Sequence, residues 1–230
     1  MSNNSNQYKL NSILKDFQRG FIKEAFIKIE EYIKIYPNDL IAKYNYAVIL
    51  EKLHNKEKAK LTYQYIIKKN PNHWQSLTNL YLINFDKSLY EESLPLVNKV
   101  LNIKPNYQSA LRDKSHILYR LNKLDEALKN IIVSLKLNPN DYIALNIMGM
   151  ICNGLKDREI AKKMYRKAIS IKPNYAPTYS NMAKSYIEEN NKDQSIIYLN
   201  KCLEIDPNFK EGINNLANIY TTTGSPKKAI

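Results

Sequence analysis

Arg112, Asp113, His116, Tyr119 and Arg120 form the densest group of chemically capable side chains in these 230 residues. On a helix, spacings of three, four, seven and eight residues put them along one side. Two guanidinium groups beside an imidazole could grip a carboxylate or a phosphate. Alternatively, Arg112 and Arg120 pair with Asp113 and Asp86 in a structural ion-pair network. No familiar catalytic arrangement accompanies the group, because HExxH, GxSxG, P-loop and GxGxxG patterns are all missing from the sequence. His54 falls in a polar break and His73 follows Pro-Asn, so both read as surface residues. Carboxylates occur mostly as solvated helix charges such as Glu91-Glu92 and Glu188-Glu189. Cys152 and Cys202 have no CxxC spacing and read as buried free thiols. An enzyme is not expected within these residues, and neither a cofactor nor a metal is implied.

The elements that must position this group are announced by a period. Pro37, Pro71, Pro105, Pro139, Pro173 and Pro207 stand 34 residues apart, and each is followed by Asn. A fixed period of this length marks an array of one repeated unit whose apolar faces are buried only against neighbouring units, which makes one continuous core. The units are 6–39, 40–73, 74–107, 108–141, 142–175 and 176–209, with a partial unit 210–230 and a polar leader 1–5. Position 20 of each unit is small (Ala25, Ala59, Ser93, Ala127, Ala161, Ser195, Ala229), as close contact between two helices requires. Position 8 leans the same way in Ala47, Ser115, Gly149, Ala183 and Ala217. Position 24 is large in Ile29, Tyr63, Val97, Ile131, Tyr165 and Leu199. Residues at i and i+4 share one helical face.

Within a unit, two helical stripes flank a polar break: His54-Asn55, Asn122-Lys123, Lys156-Asp157, Asn190-Asn191 and Gly224-Ser225. Each unit therefore reads as helix, tight turn, helix, with Pro-Asn closing the second helix. Asp or Asn at the break can cap the second helix, and Pro177 and Pro226 suit a helix's first turn. Pro95 is expected to kink or shorten its helix. Tyr81, at the small position 8, and Ile13, in the first unit, depart from the pattern.

The helix-turn-helix unit with Gly/Ala at 8, Ala at 20, a large residue at 24 and Pro at 32 resembles the tetratricopeptide repeat, and the resemblance spans the chain beyond residue 5. It implies an all-α fold, an α-solenoid wound as a right-handed superhelix. It also implies that the first helix of each unit lines a concave groove through positions 2, 5, 6, 9, 12 and 13. Position 6 reads Asn11, Asn45, Asn79, Asp113, Ile147, Asn181 and Asn215. A carboxamide offers both a donor and an acceptor, so such a ladder, interrupted at Ile147, could hold the backbone of an extended peptide. On the same expectation Arg112, His116, Tyr119 and Arg120 face the groove, and Tyr44, Val48, Leu82, Phe85 and Met150 could take apolar side chains of a ligand. The family's chaperone-tail clamp is not expected, since Asn45 and Asn79 supply only its middle element.

The formal net charge is +13. Its densest groups, Lys56, Lys58, Lys60, Lys68 and Lys69, then Lys162, Lys163, Arg166 and Lys167, fall on or beside second helices. They read as a solvated basic face rather than a nucleic-acid site. Met1–Lys9 lacks the apolar stretch of a secretory signal, and the longest apolar runs are too short to cross a bilayer. With free thiols, this fits a reducing, cytoplasmic setting without membrane insertion. Two functions follow as expectations: a non-catalytic interaction scaffold that binds a protein or extended peptide, or the repeat arm of a larger glycosyltransferase or sulfotransferase. Unit seven stops at Ala229-Ile230, which leaves Leu216, Ile219 and Tyr220 without cover and predicts fraying or self-association over 210–230.

Overall fold

The computed structural model describes residues 2–222. Among them are thirteen α-helices and no strand. The first helices of successive units are α1 (Ser2–Gln18), α3 (Leu40–Lys52), α5 (Trp74–Asp86), α7 (Gln108–Arg120), α9 (Tyr142–Gly154), α11 (Ala176–Glu188) and α13 (Lys210–Thr222). The second helices are α2 (Ile22–Ile35), α4 (Lys56–Lys69), α6 (Tyr90–Ile103), α8 (Leu124–Leu137), α10 (Arg158–Ile171) and α12 (Lys192–Ile205). Helix α1 extends back through the polar leader to Ser2. The chain divides into two compact units at Pro105/Asn106, α1–α6 and α7–α13, a division that the uniform period does not mark.

The small residues at position 20 do what close helix contact asks of them: Ala25, Ala59, Ser93, Ala127, Ala161 and Ser195 are all fully buried. In the first unit Ala25 and Ala59 pack with Ile29, Tyr46, Leu50, Tyr63 and Ile66. In the second, Ala161 packs with Cys152, Tyr165 and Met182. Positions 8 and 24 trade volume: Ala47 goes with Tyr63, Gly149 with Tyr165, Ala183 with Leu199, and Tyr81 with Val97. This exchange is why a fully buried Tyr81 is tolerated where the pattern asks for a small residue.

Every turn between first and second helix closes in one way. In the second unit of the repeat, Asn55 N–H reaches Leu50 O at 2.9 Å and His54 N–H reaches Glu51 O at 3.0 Å. The same two bonds recur at Ser88/Leu89, Asn122/Lys123, Lys156/Asp157, Asn190/Asn191 and Gly20/Phe21. This is the Schellman pattern, which requires a left-handed residue just past the helix. Position 15 supplies it with φ between +57° and +67° at His54, Ser88, Asn122, Lys156 and Asn190, and with Gly20 at +89°. Lys156 has no polar group near its backbone to ease that conformation. Lys156→Gly is expected to stabilise the protein by about 1 kcal/mol, net of the added freedom of the unfolded chain. An unchanged or lower urea midpoint would contradict this.

Capping matches the expectation in part. Asn55 and Asn191 accept hydrogen bonds from Lys58 and Gln194 N–H, whereas Asp157 makes no cap bond. The stronger caps sit on first helices, where Asp39 and Asp141 each accept from two backbone N–H groups. His73 is not merely a surface residue, since its Nδ1 accepts from Ser76 N–H at 3.2 Å and caps α5. Pro177 lies in the first turn of α11, as expected.

Pro95 does not shorten its helix: α6 runs fourteen residues, as long as the other second helices. Packing of Ser93, Val97 and Val100 holds the turn against the lost hydrogen bond. Pro95→Ala is therefore expected to raise stability by about 2 kcal/mol, the helix-interior cost of proline less its stiffening of the unfolded chain. Chemical denaturation of the two proteins checks this.

Ile219 is only 4% exposed and packs on Ala183 and Leu199, with Leu216 partly buried against the same cluster. Ile219 is thus covered by α11 and α12, and Leu216 in part, which corrects the expectation that these two residues lack cover. Gly224-Ser225, Pro226 and Ala229-Ile230 lie outside the described residues.

Candidate functional site

In the second unit, α7, α9, α11 and α13 line a cleft of about 580 Å³. It brings together six of the residues singled out in the sequence: His116, Tyr119, Arg120, Met150, Asn181 and Asn215. Asn146, Lys184, Glu211 and Asn214 join them, with Tyr175, Pro177 and Phe209 as apolar walls. The ladder's interruption has a simple cause. Ile147 is turned into the core, 3% exposed, and the preceding Asn146, itself 4% exposed, borders the cleft from behind Asn181. Asn181 Nδ2 donates to Asn146 Oδ1 at 3.0 Å. A donor of Asn181 is thus committed within the protein, which leaves its carbonyl oxygen to offer a ligand's N–H.

This bond joins residues 35 apart, as do those from Asn79 to Tyr44 (3.5 Å) and from Asn153 to Glu188 (2.9 Å). A separation of one period plus one residue thus recurs among the bonds between consecutive first helices. That spacing is a signal in the sequence by which Asn146 could have been found.

Arg112 does not line the cleft. Its Nε and Nη2 donate to Asp113 Oδ1 at 3.1 and 3.0 Å, and Nη1 donates to Asp141 Oδ2 at 3.2 Å. Gln108 donates to the same Asp141 oxygen at 2.8 Å. Burial opposes ionisation of Asp141, but Gln108, the Ala144 N–H and Arg112 outweigh it and hold this carboxyl below the usual range. The ion-pair reading is thus correct for Arg112 with Asp113, while Asp86 pairs with Lys56 at 2.5 Å instead. His116 lies beside these cations. Burial first, then the charges of Arg120 and Arg112, hold its pKa down to about 4, so the imidazole is neutral at physiological pH.

In the first unit, Asn45 Nδ2 donates to Ile41 O of its own helix at 2.8 Å. Asn79 Nδ2 donates to the Tyr63 hydroxyl at 2.8 Å, and that hydroxyl donates to Glu51 at 2.5 Å. Burial and Glu51 push the Tyr63 hydroxyl well above the ordinary phenol range. Tyr44 stacks obliquely on Tyr63 and His73, with centroids 6.0 and 5.2 Å apart. Val48 is half-buried and Leu82 exposed, while Phe85 meets Tyr90 edge-on at 5.3 Å. Asn11 lines a separate depression of about 380 Å³ on α1 with Tyr8, Leu14 and Lys15. The first-unit carboxamides therefore serve mostly local structure.

The basic density of α4 is largely paired across repeats. Lys58 meets Glu30 at 3.1 Å and Lys60 meets Glu92 at 3.8 Å, while Lys69 lies over the Tyr65 ring. On α10, Lys162 bridges Glu159 and Glu189 at 2.6 and 2.8 Å. Among the described residues no group of three metal-ligating side chains occurs, and no helix is long and apolar enough to cross a membrane.

Residues 77–197, more than half of the chain, match the family described as "Psidin, N-terminal TPR repeats region", and residues 42–73 match the tetratricopeptide repeat itself. The chain belongs to the tetratricopeptide repeat family, and its fold is an all-α repeat solenoid. No curated protein sequence matches it. A tetratricopeptide repeat protein from Parabacteroides merdae has a similar structure, with a TM-score of 0.85 at 14% identity over 98% of this chain and 90% of that one. Pseudomonas aeruginosa PilF gives a TM-score of 0.73 at 16% identity over 94% and 98%. YrrB, described as a TPR protein with an unusual peptide-binding site, gives 0.61 at 19% identity over 81% and 96%. At these identities the likeness shows the fold.

Proposed function

We propose that the protein is an interaction scaffold that holds an extended segment of a protein partner on the face formed by its first helices. The α7–α13 cleft is the principal seat. The observation that carries this reading is the convergence there of three carboxamides, Asn181, Asn214 and Asn215, between aromatic walls, with the buried Asn146 holding Asn181 in place. Carboxamides match the alternating donors and acceptors of a peptide backbone, and the aromatic walls supply apolar contact at low entropic cost. Tetratricopeptide folds ordinarily serve as non-catalytic scaffolds, and the peptide-binding site named for YrrB is in keeping with this use.

The test is the affinity of the full chain for peptides selected on it from a random library. Asn181→Ala combined with Asn215→Ala is expected to weaken binding about 10-fold. Asn45→Ala is expected to leave it unchanged, because that side chain is bonded to its own helix. Undiminished affinity in the double variant for every selected peptide would reject the cleft as the seat.

A further inference from the structure

We propose that the outward face of helices α8 and α10 docks on an anionic lipid surface, lying on it without crossing it. This face belongs to second helices, so it is separate from the α7–α13 cleft and does not rest on the function proposed above.

The two helices present one surface because they stand one repeat apart. Leu128 of α8 packs against the cluster that holds Ala161 and Tyr165 of α10. The buried residues Ala127, Ile131 and Ser134 of α8 stand at the same repeat positions as Ala161, Tyr165 and Ala168 of α10. The opposite sides therefore face outward together. There α8 exposes Lys129, Val133, Lys136 and Leu137, and α10 exposes Lys163, Arg166, Lys167 and Ile171. Lys129, Val133 and Leu137 fall on one line at i, i+4 and i+8, and Lys163, Lys167 and Ile171 fall on its counterpart. Ile132 and Ile160 widen the apolar part.

The charge on this face is not balanced. No Asp or Glu occurs between Glu126 and Asp141, nor between Glu159 and Glu188. None of Lys129, Lys136, Lys163, Arg166 and Lys167 forms an ion pair among the described residues. Glu159 is engaged by Lys162 at 2.6 Å, and Arg166 adds only a weaker attraction. Helix α4 is the contrast, since its Lys56, Lys58 and Lys60 each meet a carboxylate of a neighbouring repeat.

What accompanies the cations selects the partner. They are spread along the helices, Lys129 and Lys136 being two turns apart, about 10 Å along α8. Such a spread suits many anionic groups arranged over a plane, not one bound phosphate. The apolar side chains among them are aliphatic, with Val133 and Leu137 42% and 45% exposed. A nucleic-acid face would offer aromatic rings for stacking, and α8 and α10 expose none. Aliphatic side chains enter the boundary between headgroups and acyl chains, while lysine stems lie along them and carry their charges to the phosphates. Each cation at such a surface is worth about five-fold in partitioning.

The experiment is co-sedimentation of the full chain with phosphatidylcholine vesicles containing about one-third phosphatidylglycerol, at about 0.1 M salt. The native chain is expected to bind these vesicles and to ignore phosphatidylcholine alone. Lys129→Gln/Lys163→Gln/Lys167→Gln is expected to weaken partitioning about 100-fold. Ile132→Asn/Val133→Asn is expected to weaken it about 10-fold. All five changes are at exposed side chains, and circular dichroism and the urea midpoint confirm that the variants are folded. Asn181→Ala/Asn215→Ala is expected to partition like the native chain, so this inference and the function proposed above fail separately. Undiminished partitioning of either surface variant, or none by the native chain, would overturn the inference. Retention on a duplex oligonucleotide through the same lysines, with vesicles ignored, would overturn it in favour of nucleic acid.

Discussion

Lowering the pH from 7 to 4.5 is expected to remove about 2.5 kcal/mol of stability, and His116→Gln to abolish most of that loss. The unfolded imidazole titrates near 6.5, and in the folded protein it titrates at about 4. The folded state thus favours the neutral ring. Its contribution is fully present above pH 6.5 and is lost as the pH falls through the folded value. His73 acts in the same direction, since burial lowers its pKa and protonation of Nδ1 would remove the acceptor that caps α5. The depressed carboxylates, Glu30 and Asp141 among them, shed most of their contribution below pH 4.5, because their ordinary values are 4.5 and 3.8. The window from 7 to 4.5 therefore belongs to the histidines. Urea unfolding of the native protein and of His116→Gln at both pH values measures the difference. Equal losses in the two proteins would mean that His116 is not the group responsible.

Gly149→Ala is expected to destabilise the protein by about 3 kcal/mol, against the ordinary rule that alanine improves a helix by about 1 kcal/mol over glycine. A methyl group there would lie 2.3 Å from Tyr165 Cε1 and 2.6 Å from Cδ1. Tyr165 is 1% exposed, so its ring has nowhere to go. The equivalent pair one repeat later is Ala183 with Leu199, which shows the remedy. In Gly149→Ala/Tyr165→Leu the combined cost is expected to fall below the sum of the single changes by about 2 kcal/mol. Strict additivity in a double-mutant cycle would show that the two positions do not compete for one space.

Much of the fold is legible in the residue spacing, because a 34-residue period constrains every unit at once. Position 20 illustrates this: six small residues, each fully buried, could be read from size alone. The two-unit division could not be read, since no proline, glycine or charge run interrupts the period at Pro105. The turns were legible as breaks, but not as left-handed, because Lys156 and Ser88 give no hint of positive φ and hydrogen bonds impose it on them. Six members of the site were legible, since residues such as Asn181 and His116 sit at family positions. Asn146 was less legible: it stands at groove position 5 but is almost fully buried behind Asn181, and only the 35-residue spacing between the two points to it. The fate of Arg112 was hidden for another reason: Asp141, the last residue of the same unit, is at once the cap of the next helix and an ion-pair partner, two roles that no single pattern encodes.

The recurrent left-handed residue at position 15 bears on how this protein can change over generations. Five of its six examples are not glycine, and none of them lines the α7–α13 cleft. Each is a place where one substitution would make the fold more robust without touching the surface proposed to meet a partner. Replacements in the cleft that alter what it recognises, and weaken the helices in doing so, can be compensated there. A scaffold built in this way can explore new partners while its architecture stays within the range that folds.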